Sequence, residues 1–282
     1  MSLFHRVRIK EVIKETPDAA TIVFDIPGEL KEQFKYKAGQ YVTVSFELNG
    51  KEERRAYSFC TSPYTDENPA VTVKKVPNGA ISPIMNDSLK AGDTILLMPP
   101  MGKFTTELDP AASKHYMLYG GGSGITPIMS ILKSVLHTEP KSFVTLVYAN
   151  RDEQSIIFRS LINRLKEEYG ERFNVFYSLD NAPVDWEGHA GMMGAEEYRE
   201  VSHMLEQPGM PTEYFVCGPS GMMDQVKKGL ELMQVPAEKV HSEYFTTPAG
   251  SKPSPAPTPF GLRRRSSVSE AGPPAASGSM RS

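Results

Sequence analysis

The sequence predicts two domains, an antiparallel Greek-key β-barrel followed by an α/β domain with a parallel sheet. Up to about residue 108, short β-branched or alternating runs are separated by Gly, Asn, Asp and Pro, which is typical of an antiparallel barrel. From about residue 109, strand-like and helix-like segments alternate, which indicates a parallel sheet covered by helices on both faces. A length of 282 residues is sufficient for both domains.

The first domain, residues 1–108, contains six predicted strands and one predicted helix. The strands are rich in Val, Ile, Thr, Tyr and Phe and end at turn pairs such as Pro27-Gly28 and Asn49-Gly50. The helix follows the turn Pro77-Asn78-Gly79, and Ser82 is predicted as its N-cap. The predicted strands cover residues 5–13, 20–26, 41–46, 55–59, 71–76 and 94–97, and the helix covers residues 82–89.

The second domain, residues 109–245, alternates strands with helices. Because parallel strands need crossover connections, the helices between them are expected to pack on the faces of the sheet. The predicted strands cover residues 115–119, 143–148, 173–178, 213–216 and 240–245. The predicted helices cover residues 127–136, 155–168, 195–204 and 222–232.

The last segment, residues 246–282, differs in composition from both domains. It contains seven prolines, eight serines, five basic residues and one acidic residue, which predicts a disordered Pro/Ser-rich tail or linker. Its segment Arg263-Arg264-Arg265-Ser266 is compatible with a phosphorylation site for a basophilic kinase. A solvated basic patch is the more common explanation for such a run.

Composition excludes several classes of protein. The net charge of −3 argues against a strongly basic nucleic-acid binder. Two cysteines cannot form a disulfide framework, a four-Cys zinc site or an all-Cys iron–sulfur cluster, and no metal site is predicted. The N-terminus has no apolar signal region, and the longest uncharged run, residues 116–132, is too short and glycine-rich to span a membrane. We therefore expect a cytoplasmic protein without nucleic-acid or membrane partners.

A glycine-rich segment, residues 120–127, follows a predicted strand and opens a predicted helix. Glycine allows the backbone to approach a phosphate closely, and a helix N-terminus supplies free N–H groups. The segment differs from the standard dinucleotide fingerprint because Pro127 stands where the third glycine belongs. By itself it predicts either a dinucleotide phosphate site or a structural turn.

Three further motifs contain residue types suited to a bound cofactor. Arg55-Ala56-Tyr57-Ser58 ends a barrel strand with a bidentate anion-binding side chain, a flat ring and a small hydroxyl. The turn at residues 78–82 leads into a helix, where backbone N–H groups could meet a phosphate. Cys217-Gly218-Pro219 lies at the carboxyl end of a strand, where α/β sheets bind ligands. Each motif alone is also compatible with an ordinary strand, cap or packed cysteine.

The order of these motifs along the chain resembles the ferredoxin–NADP reductase superfamily over residues 5–245. The resemblance includes the Arg-x-Tyr-Ser box, the Gly-x-x-Ser turn, the Gly-rich Ile-Thr-Pro loop, Cys217-Gly218-Pro219 and the terminal Glu243-Tyr244-Phe245. Within the superfamily, Asn150-Arg151 and residues 155–159 are most similar to bacterial oxygenase reductases of the phenylacetyl-CoA and phenol hydroxylase kind. The resemblance implies FAD in the barrel and NAD(P)H as substrate on the α/β domain.

The resemblance also implies roles for individual residues. In the barrel, Arg55 and the backbone of Gly79, Ile81 and Ser82 would bind the FAD pyrophosphate, Tyr57 would stack on the isoalloxazine, and Ser58 would lie near flavin N5. In the second domain, the residues lining the pyridine-nucleotide phosphates would be Gly121, Gly122, Gly124 and Thr126. Near the reacting atoms would lie Cys217 beside nicotinamide C4, Glu243 as a proton relay and Phe245 covering the flavin.

The resemblance does not settle the nucleotide. Arg151 could meet the 2′-phosphate of NADP, which slightly favours NADPH. After the next predicted strand, however, Leu179 supplies no charge and Asp180 would repel a phosphate.

The resemblance also leaves the electron acceptor open. Similar oxygenase reductases usually continue into a plant-type [2Fe–2S] domain, whereas residues 246–282 contain no cysteine. The acceptor is then a separate ferredoxin, flavodoxin or oxygenase component, or the chain is a truncated oxygenase reductase. Two other hypotheses are a non-catalytic dinucleotide-binding protein on the same fold and a tail whose function is a phosphorylatable interaction segment.

Overall fold

The first sheet of the molecule is antiparallel and closes into a barrel. The computed structural model describes residues 4–245, so the predicted tail at 246–282 lies outside the described residues. The strand order is β4-β3-β6-β1-β2-β5, and a bridge between Phe59 and Val71 joins the two outer strands. The predicted Greek-key barrel is therefore confirmed. Its elements are β1 (His5–Thr16), β2 (Ala19–Asp25), β3 (Tyr41–Leu48), β4 (Lys51–Ser58), β5 (Ala70–Lys74), α1 (Ser82–Asp87) and β6 (Thr94–Leu97).

The barrel core follows from the alternation of side chains along its strands. Every second residue of a strand points to the same face, so apolar residues two positions apart are buried together. Val7 and Ile9 on β1, and Val42 and Val44 on β3, are fully buried in this way. Helix α1 adds Met85 to the same apolar cluster.

The second sheet is parallel and has six strands in the order β10-β9-β8-β7-β11-β12. Short loops and crossover helices connect the strands, as predicted for an α/β domain. Within residues 4–245, no helix combines the length and apolar character needed to cross a membrane. The elements are β7 (His115–Gly121), α2 (Ile125–Thr138), β8 (Phe143–Asn150), α3 (Arg159–Tyr169), β9 (Phe173–Leu179), β10 (His189–Ala190), α4 (Ala195–Leu205), β11 (Thr212–Cys217), α5 (Ser220–Leu232) and β12 (Val240–Glu243).

Helices cover both faces of this sheet, as β7 illustrates. Tyr116 and Leu118 belong to the apolar cluster that includes α2 and α3, whereas Met117 and Tyr119 pack with α4 and α5. A strand buried on both faces has a continuous apolar sequence, which explains why this strand lacks polar alternation.

Four local predictions differ from the structure. The helix predicted at 155–168 begins at Arg159, because Phe158 has a φ of +64° that an α-helix cannot accommodate. The N-cap of α1 is Ile81, and Ser82 is the first helical residue. The last strand ends at Glu243, before the predicted 245, and the two-residue strand β10 was not predicted.

Helix α2 attaches the second domain to the barrel. Ser130 Oγ donates a hydrogen bond to the Thr61 carbonyl at 2.6 Å and accepts one from the Gly39 N–H at 3.3 Å. Lys133 Nζ forms an ion pair with Asp66, and its side chain is only 12% exposed. These contacts fix the position of the barrel relative to the carboxyl end of the parallel sheet.

Candidate active site

The candidate active site lies where the strand order of the parallel sheet reverses. Strand β7 has β8 on one side and β11 on the other, so the connections after β7 and β11 leave in opposite directions. In open α/β sheets this arrangement creates a crevice beyond the carboxyl ends of the strands, where ligands bind. The glycine-rich turn after β7 and the Cys217-Gly218-Pro219 turn after β11 lie on either side of it.

The two turns approach so closely that only glycine fits between them. A Cβ on Gly124 would lie 2.1 Å from the Cys217 carbonyl oxygen, and a Cβ on Gly121 would lie 2.4 Å from Met222 Sδ. Gly122 has open space beside it, but its φ of +50° is in the left-handed region that favours glycine. Glycine is therefore required at positions 121 and 124 by close packing, and it is favoured at position 122 by the left-handed backbone.

Polar side chains brace the glycine-rich turn. Thr126 Oγ1 donates a hydrogen bond to the Ser123 carbonyl at 3.1 Å, and Tyr148 Oη donates to the Gly122 carbonyl at 3.1 Å. Tyr148 begins the Tyr148-Ala149-Asn150-Arg151 motif that contributes to the family resemblance, but the sequence assigned it no role. Its role could have been inferred from the general rule that a buried tyrosine hydroxyl usually has a hydrogen-bond partner.

Cys217 and Glu243, predicted as catalytic residues, lie side by side. In the strand register Cys217 pairs with Gly120 on β7 and with Glu243 on β12. Cys217 is fully buried, and burial together with the nearby Glu243 charge raises the pKa of its thiol, so it remains a neutral thiol. Burial raises the pKa of Glu243, so this carboxyl can hold a proton over a wider pH range than an exposed glutamate.

The predicted Phe245 lies at the surface two residues beyond the end of β12, with 43% of its area exposed. Its neighbour Tyr244 is held by Lys227, whose Nζ donates to Tyr244 Oη at 2.7 Å and lies 4.7 Å from the ring centroid. This contact fixes the backbone direction after β12.

The Arg-x-Tyr-Ser box lies on β4, with Arg55 and Tyr57 on one face of the strand. Arg55 Nη1 contacts the Arg54 carbonyl at 2.7 Å and Glu53 at 3.0 Å. A guanidinium carries five N–H donors, so its Nη2 and Nε edge can still bind an anion. Tyr57 packs against the barrel core, and burial raises its pKa to about 12. Ser58, the last residue of β4, is 4% exposed.

The turn before α1 is braced internally. The Gly79 N–H donates to the Val76 carbonyl at 2.9 Å, and Ser82 Oγ accepts from the Val76 N–H at 2.9 Å. The Ile81 side chain is buried in the barrel core. A loop braced in this way is preorganised, and the first N–H groups of α1 lie at its end.

Both parts of the site meet at the domain interface. Strand β5 contacts the turn at residues 122–124. Cys60 and Ala70 of the barrel belong to the same apolar cluster as Ile125 and Cys217. Arg151 lies apart from this group, directly after β8, and forms an ion pair with Asp152 at 2.8 Å.

The residues present fit both FAD and a pyridine nucleotide. Gly122 has open space where a Cβ would stand, so the backbone of the turn is accessible to a phosphate at the start of α2. Both polar atoms of the Asn150 amide, on a side chain only 5% exposed, lack a hydrogen-bond partner within residues 4–245. A buried polar group without a protein partner calls for an explanation, such as a water or ligand bound beside it.

Comparisons with known proteins identify both domains. Residues 6–106 match the family described as "Oxidoreductase FAD-binding domain", and residues 118–228 match the family described as "Oxidoreductase NAD-binding domain". These two matches cover the barrel and most of the α/β domain.

Two curated relatives are similar over most of the chain. A component of 1,2-phenylacetyl-CoA epoxidase from Escherichia coli K12 is 33% identical over 248 residues, which are 88% of this chain and 69% of the relative. The ferredoxin reductase component of 3-ketosteroid-9-alpha-monooxygenase from Rhodococcus rhodochrous is 37% identical over 244 residues, which are 86% of this chain and 65% of the relative. The chain thus spans about two thirds of the length of these relatives.

The fold is also found among solved structures. A ferredoxin NADP+ reductase from Neisseria gonorrhoeae with bound FAD and NADP has a TM-score of 0.71 and 21% identity, over 87% of this chain and 100% of the other. The matched domains, the curated relatives and the order of sheets agree. The chain therefore belongs to the ferredoxin–NADP reductase superfamily of FAD- and NAD-binding oxidoreductases.

Proposed function

We propose that this chain is an FAD-dependent reductase that takes two electrons from NAD(P)H and passes them singly to a protein acceptor. The observation that supports this most directly is the row of Gly120, Cys217 and Glu243 at the carboxyl edge of three neighbouring strands. Cys217 in this row belongs to an apolar cluster that also contains barrel residues such as Cys60 and Ala70. The row therefore lies near the domain that would hold FAD.

In the barrel, we assign Arg55 to the FAD pyrophosphate and the ring of Tyr57 to the isoalloxazine. Backbone at Gly79, Ile81 and Ser82 would assist Arg55, and Ser58 would donate a hydrogen bond at the flavin edge that reacts. Partial burial supports these roles, because a bidentate ion pair with phosphate gains strength where water is displaced.

In the second domain, we assign the pyridine-nucleotide phosphates to the cradle formed by Gly121, Gly122, Gly124 and Thr126. The nicotinamide would then lie towards β11 and β12, against the neutral thiol of Cys217. Phe245, at the surface beyond β12, would cover the flavin face that the nicotinamide must reach.

The chemistry divides between the cofactors and the protein. FAD, when bound, accepts a hydride from NAD(P)H and releases electrons one at a time. The protein supplies position and proton control: Cys217 packs in the core at the end of β11, and Glu243 can hold a proton because burial raises its pKa. A neutral Cys217 fits a packing role rather than that of a thiolate nucleophile.

The electron acceptor is proposed from the names of the relatives. One is the ferredoxin reductase component of a monooxygenase, and another is a component of an epoxidase. We propose a separate ferredoxin, flavodoxin or oxygenase component as acceptor, and the cytoplasm as the location.

The proposal is tested first with the purified full chain. We expect a yellow protein whose visible flavin absorbance disappears on anaerobic addition of NAD(P)H. The alternative, a non-catalytic dinucleotide-binding protein, predicts nucleotide binding without flavin reduction. A colourless protein that cannot take up FAD would reject the reductase.

Two variants test the roles in the barrel. Ser58→Ala should slow flavin reduction at least about tenfold in stopped flow while FAD affinity changes little. Ser45→Ala is its control, because Ser45 is equally buried in the same sheet. Arg55→Ala should weaken FAD binding about ten- to hundredfold, whereas Arg54→Ala on the exposed face should not. Full FAD retention by Arg55→Ala would contradict the pyrophosphate assignment.

A further inference from the structure

The sheet order determines where the adenosine half of a bound pyridine nucleotide must lie. The proposed function places the phosphates after β7 and the nicotinamide towards β11 and β12. The adenosine must therefore extend in the opposite direction, over the loops that follow β8 and β9. Two backbone hydrogen bonds hold these loops together, from the Asp180 N–H to the Asn150 carbonyl at 3.0 Å and from the Asn181 N–H to the Arg151 carbonyl at 2.8 Å.

The two loops are acidic. Residues 151–158 and 180–188 contain five carboxylates and a single Lys or Arg, which is Arg151. An open surface depression of about 370 Å³ lies between the loops and is lined by Asp152, Glu153, Gln154, Asn181, Ala182 and Pro183. A nucleotide carrying a 2′-phosphate would bring about two negative charges into this environment.

Both nearby arginines are already paired with carboxylates. Arg151 Nε donates to Asp152 Oδ2 at 2.8 Å, and Arg159 at the start of α3 forms an ion pair with Glu153. Asp152 and Glu153 would repel a phosphate, and they are also the ion-pair partners of Arg151 and Arg159, the two cations that could attract it.

The carboxylate of Asp152 is held in a fixed orientation. Its Oδ1 accepts a hydrogen bond from the Ser155 N–H at 2.9 Å, and the Asp152 N–H donates to Ser155 Oγ at 3.1 Å. This reciprocal cap anchors Asp152 to the turn after β8. Arg151, which is 62% exposed, is therefore directed towards a stationary carboxylate.

The buried Asn150 amide is a further polar group at this edge of the sheet. Its side chain is 5% exposed, and neither Nδ2 nor Oδ1 has a partner among the residues that the structure describes. Asn150 ends β8 directly before Arg151, beside Leu179 in the strand register. An amide can both donate to and accept from a neutral hydroxyl.

We propose that Asp152 makes this chain selective for NADH over NADPH, by pairing with Arg151 and by offering its carboxylate to the ribose 2′-hydroxyl. An acidic side chain at this position accepts a hydrogen bond from that hydroxyl in NAD sites, whereas a free arginine accommodates the 2′-phosphate in NADP sites. The inference rests on the proposed function, and it reverses the slight preference for NADPH that Arg151 alone indicated.

The test combines turnover with binding, using the FAD-loaded full chain. We expect kcat/KM for NADH to exceed that for NADPH at least about tenfold. Isothermal titration should show 5′-ADP binding more tightly than 2′,5′-ADP, at least about fivefold. Asp152→Asn keeps a capping side chain but removes the charge, so both ratios should shift at least about fivefold towards the phosphorylated nucleotide. Glu32→Gln, which breaks an exposed ion pair with Lys35 on the barrel, should leave both ratios unchanged.

Several outcomes decide the matter. Equal use of both nucleotides, a preference for NADPH, or an Asp152→Asn variant with unchanged ratios would overturn the inference. If Asp152→Asn fails to fold, Asp152→Ser, which keeps a capping oxygen but removes the carboxylate, is used, and the same shift in ratios is required. Binding that discriminates against 2′,5′-ADP without any oxidation of NADH would support this inference while rejecting the proposed reductase function.

Discussion

Substitution of Gly124 by alanine tests whether the close contact between the two turns stabilises the site. The Gly124 backbone has φ −61°, which any residue can adopt, so the whole effect of alanine is steric. Its Cβ would lie 2.1 Å from the Cys217 carbonyl oxygen and 2.7 Å from the Gly218 nitrogen, whereas real Cβ contacts stay beyond about 3.0 Å. The turns would have to separate by about 0.9 Å.

The expected cost follows from the kind of atoms involved. Overpacking of a well-packed core costs about 1–3 kcal/mol, and here main chain meets main chain, so no side chain can rotate away. We expect a loss near 3 kcal/mol, which corresponds to a fall in Tm of about 6–12 °C for a folded unit of this size. Because the phosphates are proposed to bind at this turn, the affinity for 5′-ADP should fall as well.

Gly122→Ala is a matched control in the same turn. Its Cβ would meet nothing within 4 Å, and the cost is limited to the left-handed φ of +50°, about 1–2 kcal/mol before the entropic gain in the unfolded chain. We expect a net fall in Tm of about 2–4 °C. Melting is followed by circular dichroism at a fixed FAD concentration, since bound cofactor shifts Tm. If Gly124→Ala melts no lower than Gly122→Ala, the steric argument is wrong.

Three further outcomes are expected. Burial raises the pKa of Glu243, so the folded protein binds this proton more tightly than the unfolded chain, and the stability of the fold decreases as pH rises above the ordinary value near 4.5. The Glu243→Gln variant should therefore have a higher Tm than wild type at pH 8, and the two Tm values should converge near pH 4. A larger Tm difference at pH 4 than at pH 8 would refute this. Burial lowers the pKa of His115 to about 4, and the ring is hydrogen-bonded to Thr145 Oγ1 at 2.9 Å and to the Gln207 N–H at 3.2 Å. The stability of the fold should therefore decrease as pH falls from about 6.5 towards 4. An NMR titration of the His115 ring with a midpoint near 6.5 would contradict this. Ser130→Ala removes the hydrogen bonds from α2 to Thr61 and Gly39 and should lower the free energy of unfolding, measured by urea denaturation, by about 1–3 kcal/mol. The control Ser113→Ala, at an exposed serine, should change it by less than about 0.5 kcal/mol. Equal effects of the two variants would show that the domain interface does not depend on Ser130.

The sequence predicted the architecture because its signals are local. Period-two runs in the first 108 residues and alternating strands and helices afterwards depend on neighbouring residues, and the structure has those two sheets. The start of α3 was missed because the left-handed conformation of Phe158 follows from packing and not from its residue type. Strand β10 was missed because two residues, His189 and Ala190, have no periodicity to detect.

From the residues alone the candidate site was predicted as separate motifs, and only the family resemblance brought them together at one site. The sequence named Cys217 and Glu243, but their adjacency depends on the register between β11 and β12, strands separated by a helix along the chain. It named Gly124 as a phosphate ligand, whereas the structure adds that this glycine is required by the Cys217 backbone. Register and backbone approach are set by packing over long sequence distances, which no local pattern specifies.

By itself, the sequence determined that a barrel precedes a parallel α/β domain, and that glycine, arginine and cysteine motifs occur in an order typical of one superfamily. Only the folded structure decided which charges neutralise each other, as Lys133 of α2 does with Asp66 of the barrel, 67 residues away along the chain. Arg151 looked available to a phosphate in the sequence, and in the folded chain Asp152, fixed by the turn at Ser155, is its partner. An ion pair depends on the distance and orientation of two side chains, and these exist only once the backbone of the turn is formed.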